Sequence, residues 1–214
     1  MVRALVGDEV RAALSNLAHL RRNVFRAWPY LYEGDAAYEQ RYLATFAAAP
    51  GATIIAAIDP SGPAGGRLVG AATACPLAHA DDAFAEPFRD RGTDVRGWLY
   101  FGESVLDQAY RGRGIGVAFF HEREGIARKQ GFTRTTFCAV DRPLDDPRCP
   151  RGYVPLDGFW QRRGYAPLGL ATHYRWRDIG ADEETSKTMR FWGRTLAHNA
   201  HTCREPPRTS ACGA

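Results

Sequence analysis

Apolar positions recur along this chain in two rhythms, and the switches between them mark out its elements. Across residues 10–28, Leu14, Leu17, Val24 and Trp28 share one face of a 3.6-residue repeat. Asp8 is placed to cap this helix and Pro29 to end it. A second helix is expected after Asp35, with Tyr38, Tyr42 and Phe46 one turn apart and Pro50 closing it. Residues 52–58 and 67–75 read as two strands of a hairpin around the turn Asp59-Pro60-Ser61-Gly62, after a short strand at 3–6. The aromatic run 98–106 reads as another strand. A helix at 117–130 follows, with Ile115, Phe119 and Ile126 on one face and Gly131 as its C-cap. Residues 132–140 form the next strand, 156–163 a short helix, and 165–177 a long β-run broken near Gly169. Met189, Trp192 and Leu196 align as one face of an amphipathic helix over 182–196.

The resulting order is β-α-α-β-β-β-α-β-α-β, an α/β arrangement with a mixed sheet. Its central strand–loop–helix–strand unit makes a right-handed crossover between parallel strands. Residues 77–96 and 141–155 are insertions, the first carrying Asp81, Asp82, Glu86, Asp90 and Asp94 and the second four prolines. The expected partition is one domain over 1–180, the appended helix at 181–197 and a flexible tail at 198–214.

Composition narrows the function classes. The 214 residues are 45% hydrophobic with five tryptophans, enough for a substantial core. Twenty-eight basic and 24 acidic residues leave a net charge of +4 with the signs interspersed, too mild for a nucleic-acid partner. Five cysteines show no paired metal spacing, and His198, His201 and Cys203 lack a fourth ligand nearby, so no metal is expected. With neither a leader-like N-terminus nor a membrane-spanning run, a cytoplasmic protein without a membrane partner is expected. Homodimerisation enters as an expectation with no residue behind it.

The chemistry concentrates in Asp107–Gly116, between a strand and a helix. Gly112, Gly114 and Gly116 let the backbone turn sharply and approach a ligand closely. The first amides of the helix lie at the positive end of its dipole, and Arg111 and Arg113 add charge suited to phosphate. A nucleotide P-loop is excluded because no Lys-Ser/Thr pair follows the glycines. A dinucleotide fingerprint counted from Gly112 fails at Val117, where glycine or alanine belongs.

The spacing Arg111-x-x-Gly114-x-Gly116 resembles the pyrophosphate loop of the GNAT superfamily of N-acetyltransferases. Downstream, Gly158-Phe159-Trp160-Gln161-Arg162-Arg163-Gly164-Tyr165 resembles the second hallmark of that family, Phe-Tyr-x-x-x-Gly-Phe on a short helix. The resemblance covers roughly residues 2–177. It implies a twisted mixed sheet, splayed at its centre with helices on both faces, that holds acetyl-CoA as co-substrate in the opening. The diphosphate would fall to the loop from Arg111 through Gly112, Arg113, Gly114, Ile115 and Gly116 to Val117. The pantetheine amides would pair with the strand edge at Ser104, Val105 and Leu106. Phe159 would wall the cofactor arm, or simply be a core aromatic.

Acetyl transfer to an amine needs a proton acceptor, because a lysine-like amine is protonated at neutral pH. Glu103 is the only carboxylate on its strand, and the family often carries a base glutamate there. Strict alternation puts it on one face with Leu99, Phe101 and Val105, in surroundings that make a carboxylate a better base. A backbone N–H near Leu106 could polarise the thioester carbonyl. Many relatives have a proton-donating tyrosine where this chain has Trp160, whose indole cannot do that work. Tyr153, in the second insertion, is preferred over Tyr165 as donor. Covalent transfer through Cys138 or Cys149 lacks an adjacent activator.

The expected activity is therefore acetyl transfer to a primary amine, small molecule or peptide, by direct attack. The acidic insertions could attract such a cation. The alternative is a GNAT-fold acyl-CoA sensor without turnover, with a Rossmann-type redox protein a distant third.

Overall fold

The computed structural model describes residues 1–62 and 66–197. Strands β1 (Val2–Ala4), β2 (Thr53–Asp59), β3 (Arg67–Pro76) and β4 (Trp98–Leu106) pair in sequence, each antiparallel to the last. Strand β5 (Arg134–Val140) runs parallel to β4 after the crossover through helix α4 (Ile115–Lys129). Strands β6 (Ala166–Arg177) and β7 (Glu184–Thr195) complete a seven-stranded sheet in the order β1-β2-β3-β4-β5-β7-β6.

Helices cover both faces, as side-chain alternation requires. Ile54 and Ala56 of β2 pack with Leu17 of α1 (Asp8–Phe25) and Leu43 of α2 (Ala36–Ala48). Their neighbours Ile55 and Ala57 pack with Phe119 of α4 on the opposite face. Asp35 caps α2 as expected, accepting the Tyr38 N–H at 2.7 Å. Helix α1 begins at Asp8 itself, with no side-chain cap bond from Gly7, while Glu9 takes the Val6 N–H at 3.2 Å.

The C-terminal segment departs from its expected form. Residues 184–195 are not an appended helix but β7, inserted between β5 and β6. Met189, Trp192 and Leu196 gave a helical spacing, but Lys187, Met189 and Phe191 are buried in strand alternation. The buried Lys187 concealed that period. Threonines and aromatics through the segment favour the pleated form. The run broken at Gly169 is one strand, β6, whose register shifts between Pro167 and Ala171. The acidic insertion contains helix α3 (Asp82–Asp90), capped by Asp81. The expected tail, with His198, His201 and Cys203, lies outside the described residues. No helix among the described residues is long and apolar enough to cross a membrane.

One carboxylate explains both the buried lysine and the order of the second insertion. Asp178 accepts from Arg142 at 2.7 Å, meets Lys187 at 3.2 Å and accepts from Arg148 at 3.0 Å. Burial works to raise its carboxyl pKa, but the bonds from Arg142 and Lys187 outweigh burial and hold it below the usual range. A depressed carboxyl stabilises the fold above the unfolded-state pKa, near 3.9, and loses that contribution as pH falls through the folded value. Asp178→Asn should cost about 3–5 kcal/mol at pH 7, since it strands two buried cations. Urea unfolding at pH 7 and pH 3 checks this: the gap between wild type and variant should shrink in acid.

Candidate active site

At the end of β4, Asp107 turns the chain by accepting the Ala109 N–H at 3.0 Å. Tyr110 anchors the turn. Its hydroxyl donates to Asp59 and accepts from Arg67 at 3.0 Å, and Arg113 lies 5.0 Å from its ring centre. Gly112 and Gly114 then adopt φ of 76° and 79°, a region open to glycine but strained for other residues. A side chain added at either would meet no atom within 4 Å, so the loop is open on its outer side. Among the described residues, no protein group accepts the N–H groups from Gly112 to Val117; the next, Ala118, bonds back to Gly114 at 3.0 Å. These amides point out of the head of α4, where its dipole is positive.

Beside this loop the sheet opens. β4 and β5 pair only at Trp98↔Arg134, Leu99↔Thr135 and Tyr100↔Thr136. Beyond Tyr100, β4 stays with β3 as far as Leu106, while β5 stays with β7 as far as Val140. The edge of β4 through Ser104, Val105 and Leu106 is therefore unpaired on the β5 side. Phe159 stands on the short helix α5 (Asp157–Gln161), its ring 3.4 Å from where a Cβ on Gly116 would sit. The Arg163 guanidinium lies 3.6 Å over that ring. Trp160 turns the other way, 5.1 Å from both Phe137 and Trp192, as a packing residue.

Glu103 occupies a different face from the one expected. Ala72 pairs with Ser104 and Ala74 with Phe101, so Gly102 and Glu103 together oppose Thr73 in a β-bulge. The extra residue breaks strict alternation. Leu99 and Phe101 face Phe120 on the α4 side, whereas Val105 faces α1 and α2, and Glu103 goes with Val105. There its Oε2 pairs with Arg21 Nη1 of α1 at 2.8 Å, and Arg21 Nε donates to Glu39 of α2 at 2.5 Å. The surroundings are thus ionic, not apolar. Burial opposes the charge on Arg21, but Glu103 and Glu39 outweigh it and raise its pKa. Glu103 Oε1 is buried without a hydrogen-bond partner.

Sequence reasoning passed over Arg21 and Glu39, though a trace of Arg21 was there. It falls at the vacant position of the apolar stripe Leu14, Leu17, Val24 and Trp28, where a charge needs a buried partner. Arg123 is a further buried guanidinium, donating to Ser104 Oγ at 2.9 Å and to the Thr73 and Glu103 carbonyls at 3.3 and 3.4 Å. Tyr153 lies edge-on to Trp28, with ring centres 6.1 Å apart. Cys138 contacts the Tyr100 hydroxyl at 3.3 Å, and burial pushes its thiol up to about 12, which leaves it a poor nucleophile. The acids of the insertions are largely engaged locally: Asp81 and Asp94 cap turns, Asp82 pairs with Arg89, and Asp141 with Arg190.

A family model described as the acetyltransferase (GNAT) family matches residues 17–150. No curated protein matches the chain in sequence. Among solved structures, a ribosomal-protein-alanine N-acetyltransferase from Brucella melitensis superposes with a TM-score of 0.58 at 14% identity, over 92% of this chain and 99% of its own. A GNAT superfamily phosphinothricin acetyltransferase from Sinorhizobium meliloti, solved with AcCoA, gives 0.55 at 16% identity over 99% and 96%. An aminoglycoside 6'-N-acetyltransferase complexed with coenzyme A gives 0.55 at 16% identity over 91% and 96%. At these identities the likeness speaks for the fold.

The bulge itself yields a test. A Cβ on Gly102 would lie 2.5 Å from Thr73 Oγ1, which also accepts the Glu103 N–H at 3.1 Å. Gly102→Ala should destabilise the chain by about 1–3 kcal/mol through overpacking. Thr73→Ala removes the clashing hydroxyl but strands the Glu103 N–H, so the two changes should combine to less than the sum of their separate losses, read from urea midpoints of the single and double variants.

Proposed function

Because the chain belongs to the acetyltransferase (GNAT) family, we propose that it is an acetyl-CoA-dependent N-acetyltransferase acting on a primary amine, small molecule or peptide, by direct attack. The observation that carries this reading is the row of unpartnered amides from Gly112 to Val117 at the mouth of the sheet opening. A diphosphate suits those groups: hydrogen bonds to a charged partner contribute about 1.5–3 kcal/mol each. Arg111 and Arg113 add charge. The unpaired edge at Ser104–Leu106 suits the amides of a pantetheine arm, received as an added strand, and Phe159 offers the arm an apolar wall.

When bound, acetyl-CoA supplies an acetyl group activated as a thioester. The chain's own part is proton handling and placement. An amine with a pKa near 10.4 costs on the order of 4–5 kcal/mol to neutralise at pH 7. Glu103 is assigned as the acceptor of that proton: Arg21 fixes Oε2 and leaves Oε1 unpartnered. Tyr153 is assigned as proton donor to the departing thiolate. Burial first, then Cys149 and Asp157, raise its phenol, so it is protonated at neutral pH.

Acetyl-CoA should bind at sub-millimolar concentration in calorimetric titration. Gly114→Glu, which strains the left-handed position and sets a like charge against the diphosphate, should weaken binding roughly 10–100-fold, the worth of one charged hydrogen bond. Heat-silent titration of the wild type at those concentrations would remove the basis of the reading.

In a thiol-release assay over an amine panel, Glu103→Gln should lower kcat by roughly 10²–10⁴-fold near neutral pH. Its residual rate should climb with pH as free amine accumulates. Unchanged turnover near pH 7 means that Glu103 is not the proton acceptor. A similar lack of effect in Tyr153→Phe dismisses the tyrosine.

A further inference from the structure

Ser104 stands on the stretch of β4 that β5 leaves unpaired, one residue past the bulge, with Ala72 opposite it on β3. The pleat sends neighbouring side chains to opposite faces. Glu103 and Val105 go toward α1 and α2, and Ser104 goes toward α4, where it meets Arg123. Glu103 is buried, whereas Ser104 is exposed at the gap between the strands.

Arg123 decides how the serine hydroxyl is used. A guanidinium has donors and no acceptor, so Ser104 Oγ is the accepting atom in their 2.9 Å bond. The serine's own proton is not spent there, and among the described residues no protein group accepts it. Arg123 is buried against the Phe101 and Phe120 rings, 4.2 and 5.1 Å from their centres. Its Nε is taken by the Phe119 carbonyl and its Nη1 by those of Thr73 and Glu103. Burial lowers its pKa to about 10, which leaves it charged at neutral pH. The cation is thus fixed in place and little screened by solvent. A hydroxyl that accepts from such a cation is polarised into a stronger donor in its turn.

With a diphosphate on the loop after Leu106, a pantetheine arm received on this edge runs back from Leu106 toward Ser104. Its acyl end then falls at Ser104, between the carboxylate of Glu103 on one face and the serine hydroxyl on the other. We propose that Ser104 is a further catalytic residue, whose hydroxyl donates a hydrogen bond to the thioester oxygen and steadies the negative charge that gathers there as the amine attacks. This rests on the N-acetyltransferase reading and deepens it. Ser104 keeps its proton throughout. A C–N bond forms and the C–S bond breaks, the amine's proton passes to Glu103, and the departing sulfur takes one from Tyr153. A donor aimed at developing charge favours the transition state over the bound ground state, so its loss falls on kcat and spares acetyl-CoA affinity.

Ser104→Thr and Ser104→Val test this as a pair, since they match in shape, suit a strand and differ in the hydroxyl. In the thiol-release assay Ser104→Val should lower kcat by roughly 10²–10³-fold, the worth of one such donor, with the acetyl-CoA Kd within about threefold of wild type. Ser104→Thr should stay within about tenfold of wild type in kcat. The second readout is the carbonyl stretch of bound acetyl-CoA, isotope-labelled at its carbonyl carbon, in difference infrared spectra. A hydrogen bond to the oxygen lowers this frequency. Ser104→Val should therefore raise it toward the value of free acetyl-CoA, and Ser104→Thr should leave it low. A Ser104→Val protein that binds acetyl-CoA with an unmoved band, or that keeps its kcat, overturns the proposal. Should Ser104→Val not fold, Ser104→Ala, whose gap admits water to Arg123, decides by the same two readouts. A wild type that binds no acetyl-CoA removes the acetyl-transfer reading and this proposal with it, whereas an unmoved band in a variant that binds removes the proposal alone.

Discussion

The parting of β4 from β5 after three paired positions is the constraint from which the candidate site follows. A parallel pair that stops early leaves backbone groups bare, and a folded chain must answer for them. Here β5 is free to diverge because β7 pairs with it along its other edge, from Arg134↔Thr195 to Val140↔Met189. β4 is free to diverge because β3 holds it on its far side and the bulge at Gly102 and Glu103 bends it away. The strand once expected as a helix is therefore what lets the sheet open. The β5-facing edge of β4 and the head of α4 are left without partners, and they flank the same opening.

Local chemistry was legible in the sequence where it is written in neighbouring residues. The strand, turn and helix around Gly112, Gly114 and Gly116 could be read because glycine spacing fixes a backbone path. Gly131 ends α4 as expected, with the Phe132 N–H reaching back to the Ala127 carbonyl at 2.9 Å. The face of Glu103 could not be read, because a bulge is a property of two strands and nothing in residues 98–106 alone announces Thr73 opposite. β7 was hidden for a related reason. Its alternation includes Lys187, whose ammonium is buried against the Asp178 carboxylate and the Trp176 carbonyl, both outside the strand.

Charge tells the same story at a larger scale. The acidic residues that stood out in sequence lie in insertions, and most are occupied with caps and neighbouring arginines. The carboxylates without full partners are inside, on helices whose stripes looked apolar. Arg21 closes the stripe of α1, and Glu39 precedes Leu43 by one turn on α2, so both read as surface charges until the two helices are set side by side. Counting acids along a chain finds solvated faces; finding a buried ion cluster requires knowing which helices meet.

Arg123 carries a consequence for how the two halves of the site communicate. From α4 it reaches the carbonyls of Thr73 and Glu103 and the hydroxyl of Ser104, while its Nε stays on Phe119 of its own helix at 3.2 Å. It bolts the helix that begins at Ile115 to the backbone kink beneath Glu103. The glycine loop and the kink thus hang from one guanidinium, and neither is placed independently of the other.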